Sequence, residues 1–143
     1  MEIKHATTKE DFLGCWELMQ LLYPHLDQEQ YLSLILYMMD ENYNLYFIEK
    51  ADIVVSLSGY RFQTTLANLR SIYIDHLCTL PEVRKRGYAT ALLNKIIAIA
   101  LEAECKTITF NHPYQHAEGL PFFLNVGFKI TAYHLVSDLN PPE

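Results

Sequence analysis

At 143 residues, half of them apolar, the chain is long enough for one domain with a buried core and too apolar for extensive disorder. No apolar run approaches the roughly 20 residues of a membrane span, and Met1–His5 opens no signal peptide, so a cytoplasmic protein without a membrane partner is expected. The formal net charge of −6 is uneven, with three bases against ten acids in residues 1–60 and eight against seven in the rest. This acidity disfavours nucleic acid as a partner and suits a cationic one.

Glu2–Ala6 reads as a short first strand. Thr7 or Thr8 can cap a helix with Glu10 and Asp11 in its first turn, and Phe12, Cys15, Trp16, Met19 and Leu22 follow at helical spacing until Pro24. Asp27 caps a second helix over about residues 28–40, with Tyr31, Leu34, Ile35 and Met38 on one face. Asn44–Lys50 and Ile53–Phe62 form an antiparallel pair turning at Ala51-Asp52. A β-branched and aromatic strand spans residues 69–78 and closes at Pro81. From Gly87 to Glu104, Ala89, Leu92, Leu93, Ile96, Ile97 and Ala100 make one apolar helical stripe. Lys106–Phe110 is a short buried strand, and Leu120–Val126 a short helix with Pro121 near its start and Gly127 after its end. Phe128–Val136 is expected to close the sheet as a last strand, with a frayed tail at Asn140–Glu143. The strand–helix–strand unit over residues 69–110 is a right-handed crossover, so its two strands should be parallel neighbours in an otherwise antiparallel sheet.

Cys15, Cys78 and Cys105 are odd in number and lack a C-x-x-C pair, which reads as reduced thiols and not as a disulfide frame or zinc site. The six histidines are scattered without ligand spacing, so no metal is expected. His112-Pro113-Tyr114-Gln115-His116 reads as a cleft-lining loop.

The most informative segment is Val83-Arg84-Lys85-Arg86-Gly87-Tyr88-Ala89-Thr90-Ala91-Leu92-Leu93. Three adjacent cations and a glycine lie between a strand and a strongly periodic helix. Free N–H groups at a helix start, a dipole that favours negative charge and a glycine that admits close approach together make an anion cradle. The ligand it suits is phosphorylated.

Arg84-Lys85-Arg86-Gly87-Tyr88-Ala89 resembles the [Gln/Arg]-x-x-Gly-x-[Gly/Ala] acetyl-coenzyme A signature of the GNAT superfamily of N-acetyltransferases. Ile74–Glu82 is similar to that family's strand and turn before the motif. His116–Phe128 is similar to its downstream Asn-x-x-Ala-x-x-Phe-Tyr-x-x-x-Gly-Phe block. The resemblance implies a single GNAT domain over residues 1–143, an α/β fold of α+β type with a mixed, mostly antiparallel sheet, one splayed parallel strand pair and helices on both faces. It implies transfer of an acetyl group from acetyl-CoA to a primary amine of a small molecule or peptide; a catalytically silent acyl-CoA-binding module is the alternative. Family members often dimerise, so a homodimer is an expectation.

By the same resemblance, backbone N–H groups of Arg84, Lys85, Arg86, Gly87, Tyr88, Ala89 and Thr90 hold the pyrophosphate, with the basic side chains reaching phosphates. Leu77, Cys78 and Thr79 pair with the pantetheine arm, and a β-bulge splays their strand from its parallel neighbour. Asp75 holds the position of the family's frequent glutamate base, with His76 beside it as the alternative; the Cys78 N–H is the expected oxyanion donor. Tyr23, His25 and Asp27 lie where the family often builds its acceptor pocket, although a simple turn explains Pro24 and Asp27 equally well. His116 and Phe123 fall at cofactor positions, with departures: His116 replaces an asparagine, Gly119 an alanine, and Phe123 the tyrosine commonly assigned to protonate the thiolate. Tyr88, Tyr114, Tyr133 and His116 remain as alternative proton donors.

Overall fold

In a computed structural model of the chain, residues 1–113 and 119–140 are described. Two compact units divide it, residues 1–110 and 111–143. The first contains β1 (Lys4–His5), α1 (Lys9–Gly14), α2 (Trp16–Leu22), α3 (Gln28–Asp40), β2 (Asn44–Lys50), β3 (Ile53–Thr65), β4 (Leu69–Thr79), α4 (Tyr88–Glu102) and β5 (Thr107–Phe110). The strands lie in chain order, β1-β2-β3-β4-β5. All pairs are antiparallel except β4–β5, which is parallel, as the crossover requires.

Local chemistry explains most boundaries. Thr8 and Asp27 each accept a bond from the backbone N–H three residues on, and Asp11 and Gln30 return one, two reciprocal capping boxes. The expected first helix is broken at Cys15, which ends α1 and begins α2. Ala51 and Asp52 both take positive φ, 51° and 62°, as a tight hairpin with right-twisted strands demands.

The sheet has two apolar faces. Helices α1–α3 cover one, burying Phe12, Trp16, Leu18, Met19, Tyr31 and Ile35 against Leu45, Phe47 and Leu57. On the other, Tyr88 and Leu92 of α4 pack against Ile48 and Val55. The α4 stripe is Tyr88, Leu92, Leu93, Ile96 and Ala100; Ile97, expected inside, is more than a third exposed. Among the described residues, no helix is long and apolar enough to cross a membrane.

In the second unit, α5 (Leu120–Asn125) ends in a Schellman motif. The Gly127 N–H donates to Leu124 O and the Phe128 N–H to Phe123 O, with Gly127 at φ 105°. The rings of Phe122, Phe123 and Phe128 pack edge to face around that turn. The strand expected over Phe128–Val136 does not form. Among the described residues of this unit there is no strand to complete a ladder, and Ile130, Tyr133, Leu135 and Val136 are exposed. Strand-type composition becomes a strand only where backbone partners exist.

Candidate active site

The parallel β4–β5 pairing runs from Ser71–Thr107 to Ile74–Phe110 and stops because β5 ends there. Strand β4 continues to Thr79, paired there, among the described residues, only with β3. Its register against β3 breaks at this point: Gly59 faces His76 and Tyr60 faces Ile74, so Asp75 is the extra residue of a bulge. A bulge is present, but at Asp75; Cys78, expected to carry the bulge's unpaired N–H, lies three residues on and is in register with Leu57.

Asp75 is held by Arg61. Nε and Nη2 of Arg61 donate to its two carboxylate oxygens at 3.1 and 2.6 Å, while Nη1 reaches Glu41 at 3.2 Å. This planar fork engages both oxygens but leaves each with acceptor capacity. The Asp75 carboxylate in turn raises the Arg61 pKa.

His76 is buried and bonded at both ring nitrogens. Its Nδ1 lies 3.1 Å from Tyr23 Oη, and its Nε2 2.6 Å from Tyr43 Oη. Burial, with Arg61 nearby, pushes its pKa down to about 3, so the ring is neutral and carries one N–H. That proton fixes the direction of the chain. Tyr43 is buried, and among the described residues its hydroxyl has only His76 as hydrogen-bond partner. If Nε2 carried the proton, the Tyr43 hydroxyl hydrogen would be left buried without an acceptor, at about 1–3 kcal/mol. We therefore assign the proton to Nδ1. Tyr43 donates to Nε2, Nδ1–H donates to Tyr23 Oη, and the Tyr23 hydroxyl hydrogen has no acceptor among the described residues. Gly59 makes room for this pair, because a Cβ there would lie 2.3 Å from Tyr43 Oη and 2.5 Å from His76 Nε2.

Tyr23 caps the C-terminal end of α2 and is half-buried. Burial, together with Asp75, Tyr73 and Cys78 nearby, pushes its pKa up to about 12, so it stays protonated at neutral pH. Cys78, also half-buried, packs on the same face against the α1–α3 core. Burial pushes its thiol up to about 11, against an opposing effect of Arg84. Leu77 packs on the α4 face, and the Thr79 hydroxyl pairs with Ser56 at 2.8 Å.

The basic turn follows a short 3-10 segment, Pro81–Val83. Arg84, Lys85 and Arg86 are exposed and make no ion pair among the described residues. Lys85 and Gly87 take positive φ, 66° and 86°, and the space beside Gly87 is open. No side chain caps α4, so the N–H groups of Tyr88, Ala89 and Thr90 at its start lack the usual partner. The Tyr88 side chain itself is core. Of the remaining expected residues, Tyr114 and His116 lie outside the described ones. Phe123 is buried in the second unit, its ring 5.5 Å from those of His112 and Phe128.

Tyr43, Arg61 and Gly59 carry no signal of this role in the sequence, and Tyr23 is legible there only as a residue near an expected acceptor pocket. The only sequence signal for the network was the tyrosine-rich composition, which assigns no partners.

A bulged strand outlasting its parallel neighbour, followed by a basic turn and an uncapped helix, is the arrangement that the sequence resemblance implies. The acetyltransferase (GNAT) family model matches residues 8–128, and the chain belongs to that family. No curated protein matches it. Solved structures with the same fold include a transcriptional regulator from Bacillus halodurans C-125, with a TM-score of 0.82 and 18% identity over 96% of this chain and 100% of that one. The aminoglycoside N-acetyltransferase AAC(6')-Iy, solved in complex with CoA, has a TM-score of 0.82 and 12% identity over 96% of this chain and 93% of that one. A ribosomal-protein-alanine N-acetyltransferase from Brucella melitensis biovar Abortus 2308 reaches 0.80 and 16% over 97% and 100%.

Proposed function

We propose that the protein is a cytoplasmic N-acetyltransferase that uses acetyl-CoA to acetylate a primary amine of a small molecule or peptide. The observation that carries this is the cradle over Arg84–Thr90: three cations without ion-pair partners among the described residues, an uncapped helix start and an open Gly87 at φ 86°. An anion placed there meets backbone N–H donors, the positive end of the α4 dipole and basic side chains together. The likeness to an aminoglycoside acetyltransferase solved with CoA supports the same ligand class. The pantetheine arm then runs along Leu77–Thr79, where β4 has no β5 partner.

An amine of lysine type, with pKa near ~10, must lose a proton before it attacks the thioester. We assign this to Asp75 acting through a water, since its oxygens keep acceptor capacity beyond the Arg61 bonds. His76, neutral and with both nitrogens engaged, is a positioning group in this reading. Phe123 has no hydroxyl to give the thiolate. The acidic first 60 residues favour a cationic acceptor. Acetyl-CoA is expected to raise the melting temperature, and Gly87→Glu, which puts an anion in the cradle, to abolish the shift. Absence of any shift at millimolar acetyl-CoA in the unmodified protein would refute the assignment.

The second reading is a silent acyl-CoA-binding module of the same fold. It draws on Phe123 and on the Arg61 fork across Asp75. Thiol release across a panel of polyamines, aminoglycosides, amino acids and peptide amines separates the two. Turnover lost in Asp75→Asn supports the enzyme, whereas cofactor binding without turnover supports the module.

A further inference from the structure

We propose that the Tyr23 hydroxyl is the hydrogen-bond donor that faces the thioester and stabilises the negative charge developing there, aimed by His76 and Tyr43. The proposal rests on the acyl-transfer reading above. It starts from the direction of the hydrogen-bond chain, which runs from Tyr43 through His76 to Tyr23 and leaves one hydrogen at its outer end. His76 Nδ1–H occupies a lone pair of Tyr23 Oη, so the remaining O–H is free to turn to a ligand. The two inner members are buried and the outer one only half-buried.

Position follows from the order of groups along the chain. With the pyrophosphate at residues 84–90 and the pantetheine along Leu77–Thr79, the thioester lies farther back along β4, beside the bulge at Asp75 and His76. Tyr23 is bonded to His76 at that point and lies close enough to Asp75 to feel its charge. A hydroxyl there meets the part of the cofactor that reacts, and it sits at the cap that ends α2, not on the helix where Phe123 lacks one.

The step balances without a proton leaving Tyr23. The amine nitrogen, its proton removed through water, bonds to the carbonyl carbon, and the electron pair of the C=O bond moves to oxygen. When the intermediate collapses, that pair re-forms the C=O bond, the C–S bond breaks and sulfur departs with the C–S bonding pair. The second proton lost by the nitrogen balances the one the thiol gains, through solvent. Tyr23 donates a hydrogen bond throughout and remains protonated, consistent with a pKa pushed up to about 12. Donors of this kind are worth about 10²–10³ in kcat.

Tyr23→Phe keeps the ring and removes only the oxygen. We expect kcat to fall about 10²-fold, with KM for acetyl-CoA and its thermal shift little changed. Tyr43→Phe releases Nε2 and lets the His76 proton exchange sides, so kcat should fall several-fold. The double variant should be no slower than Tyr23→Phe alone. A purely structural Tyr43 would give additive losses and would remove the aiming role. Nitrogen NMR of His76 should show Nδ1 protonated and Nε2 bare, a readout independent of turnover; the opposite tautomer overturns the proposal. So does undiminished kcat in Tyr23→Phe while the unmodified enzyme turns over. Failure of the unmodified protein to bind acetyl-CoA in the thermal-shift assay would instead sink the acyl-transfer reading itself.

Discussion

The two halves of the site are built in opposite ways. The cradle at Arg84–Thr90 is contiguous in sequence, its Arg84–Gly87 turn is exposed and positively charged, and its geometry comes from one turn and the start of one helix. The network of Tyr23, Tyr43, His76, Asp75 and Arg61 is contributed by α2, the loop before β2, β3 and β4, and its centre is buried and uncharged. Recognition of a phosphorylated carrier needs local backbone and long-range charge, which a short motif supplies. Orientation of a single hydroxyl needs fixed partners in a low-dielectric interior, which only the folded sheet supplies. The cradle should therefore tolerate changes elsewhere in the chain, while the network should respond to almost any disturbance of its core.

The strongest test of that contrast is pH. Unfolded, His76 titrates at its ordinary 6.5; folded, burial and Arg61 bring it down to about 3. Between these values the unfolded chain binds one more proton, so stability is full above pH 6.5 and declines as pH falls toward 3. The slope is about 1.4 kcal/mol per pH unit, or about 5 kcal/mol over the window. Asp11, whose pKa is lowered chiefly by its bond from the Thr7 N–H, adds a loss of the same sign at more acidic pH. Denaturant melts from pH 7 to 4 should show the decline, and His76→Gln should flatten it. An unchanged slope in that variant would mean that His76 is not buried neutral.

A smaller effect is expected at the ion pairs. Asp75 is about one-tenth exposed and Arg61 about one-quarter, so Arg61→Met should leave the carboxylate partly desolvated without its fork. We expect a loss of about 2 kcal/mol in denaturant melts. The matching change at the exposed Lys4–Glu49 pair, 3.6 Å apart, should cost under about 0.5 kcal/mol. Equal losses at the two sites would show that the Arg61 fork is no better shielded than a surface pair.

The same contrast explains what was legible in the sequence. Hydrophobic periods, capping residues and the crossover rule placed nearly every element of residues 1–110, because each depends on neighbours within a few positions. Arg84–Gly87 was legible for the same reason. No strand forms over Phe128–Val136, because strand-forming composition reports a capacity to pair and not the presence of a partner. Tyr43 and Gly59 were invisible since their roles exist only where β2, β3 and β4 converge. The register break at Asp75 falls in a run of strand formers that carries no local mark of it.

Asp27 is where the two kinds of residue can be confused, and it gives the smallest and sharpest test. The resemblance places it near an acceptor pocket, and its charge would suit a cationic amine. The structure gives it a complete local role: its carboxylate accepts from the Gln30 N–H at 2.8 Å, and the Gln30 side chain accepts from the Asp27 N–H at 2.9 Å. Asp27→Ala removes the cap and should cost about 1 kcal/mol, read as a lowered denaturation midpoint. Asparagine caps about as well as aspartate, so Asp27→Asn should restore the midpoint while removing the charge. If the residue is a cap alone, KM for the amine will follow neither substitution. A rise in amine KM in Asp27→Asn, at an unchanged midpoint, would instead move Asp27 out of the local class and into the site assembled by the fold.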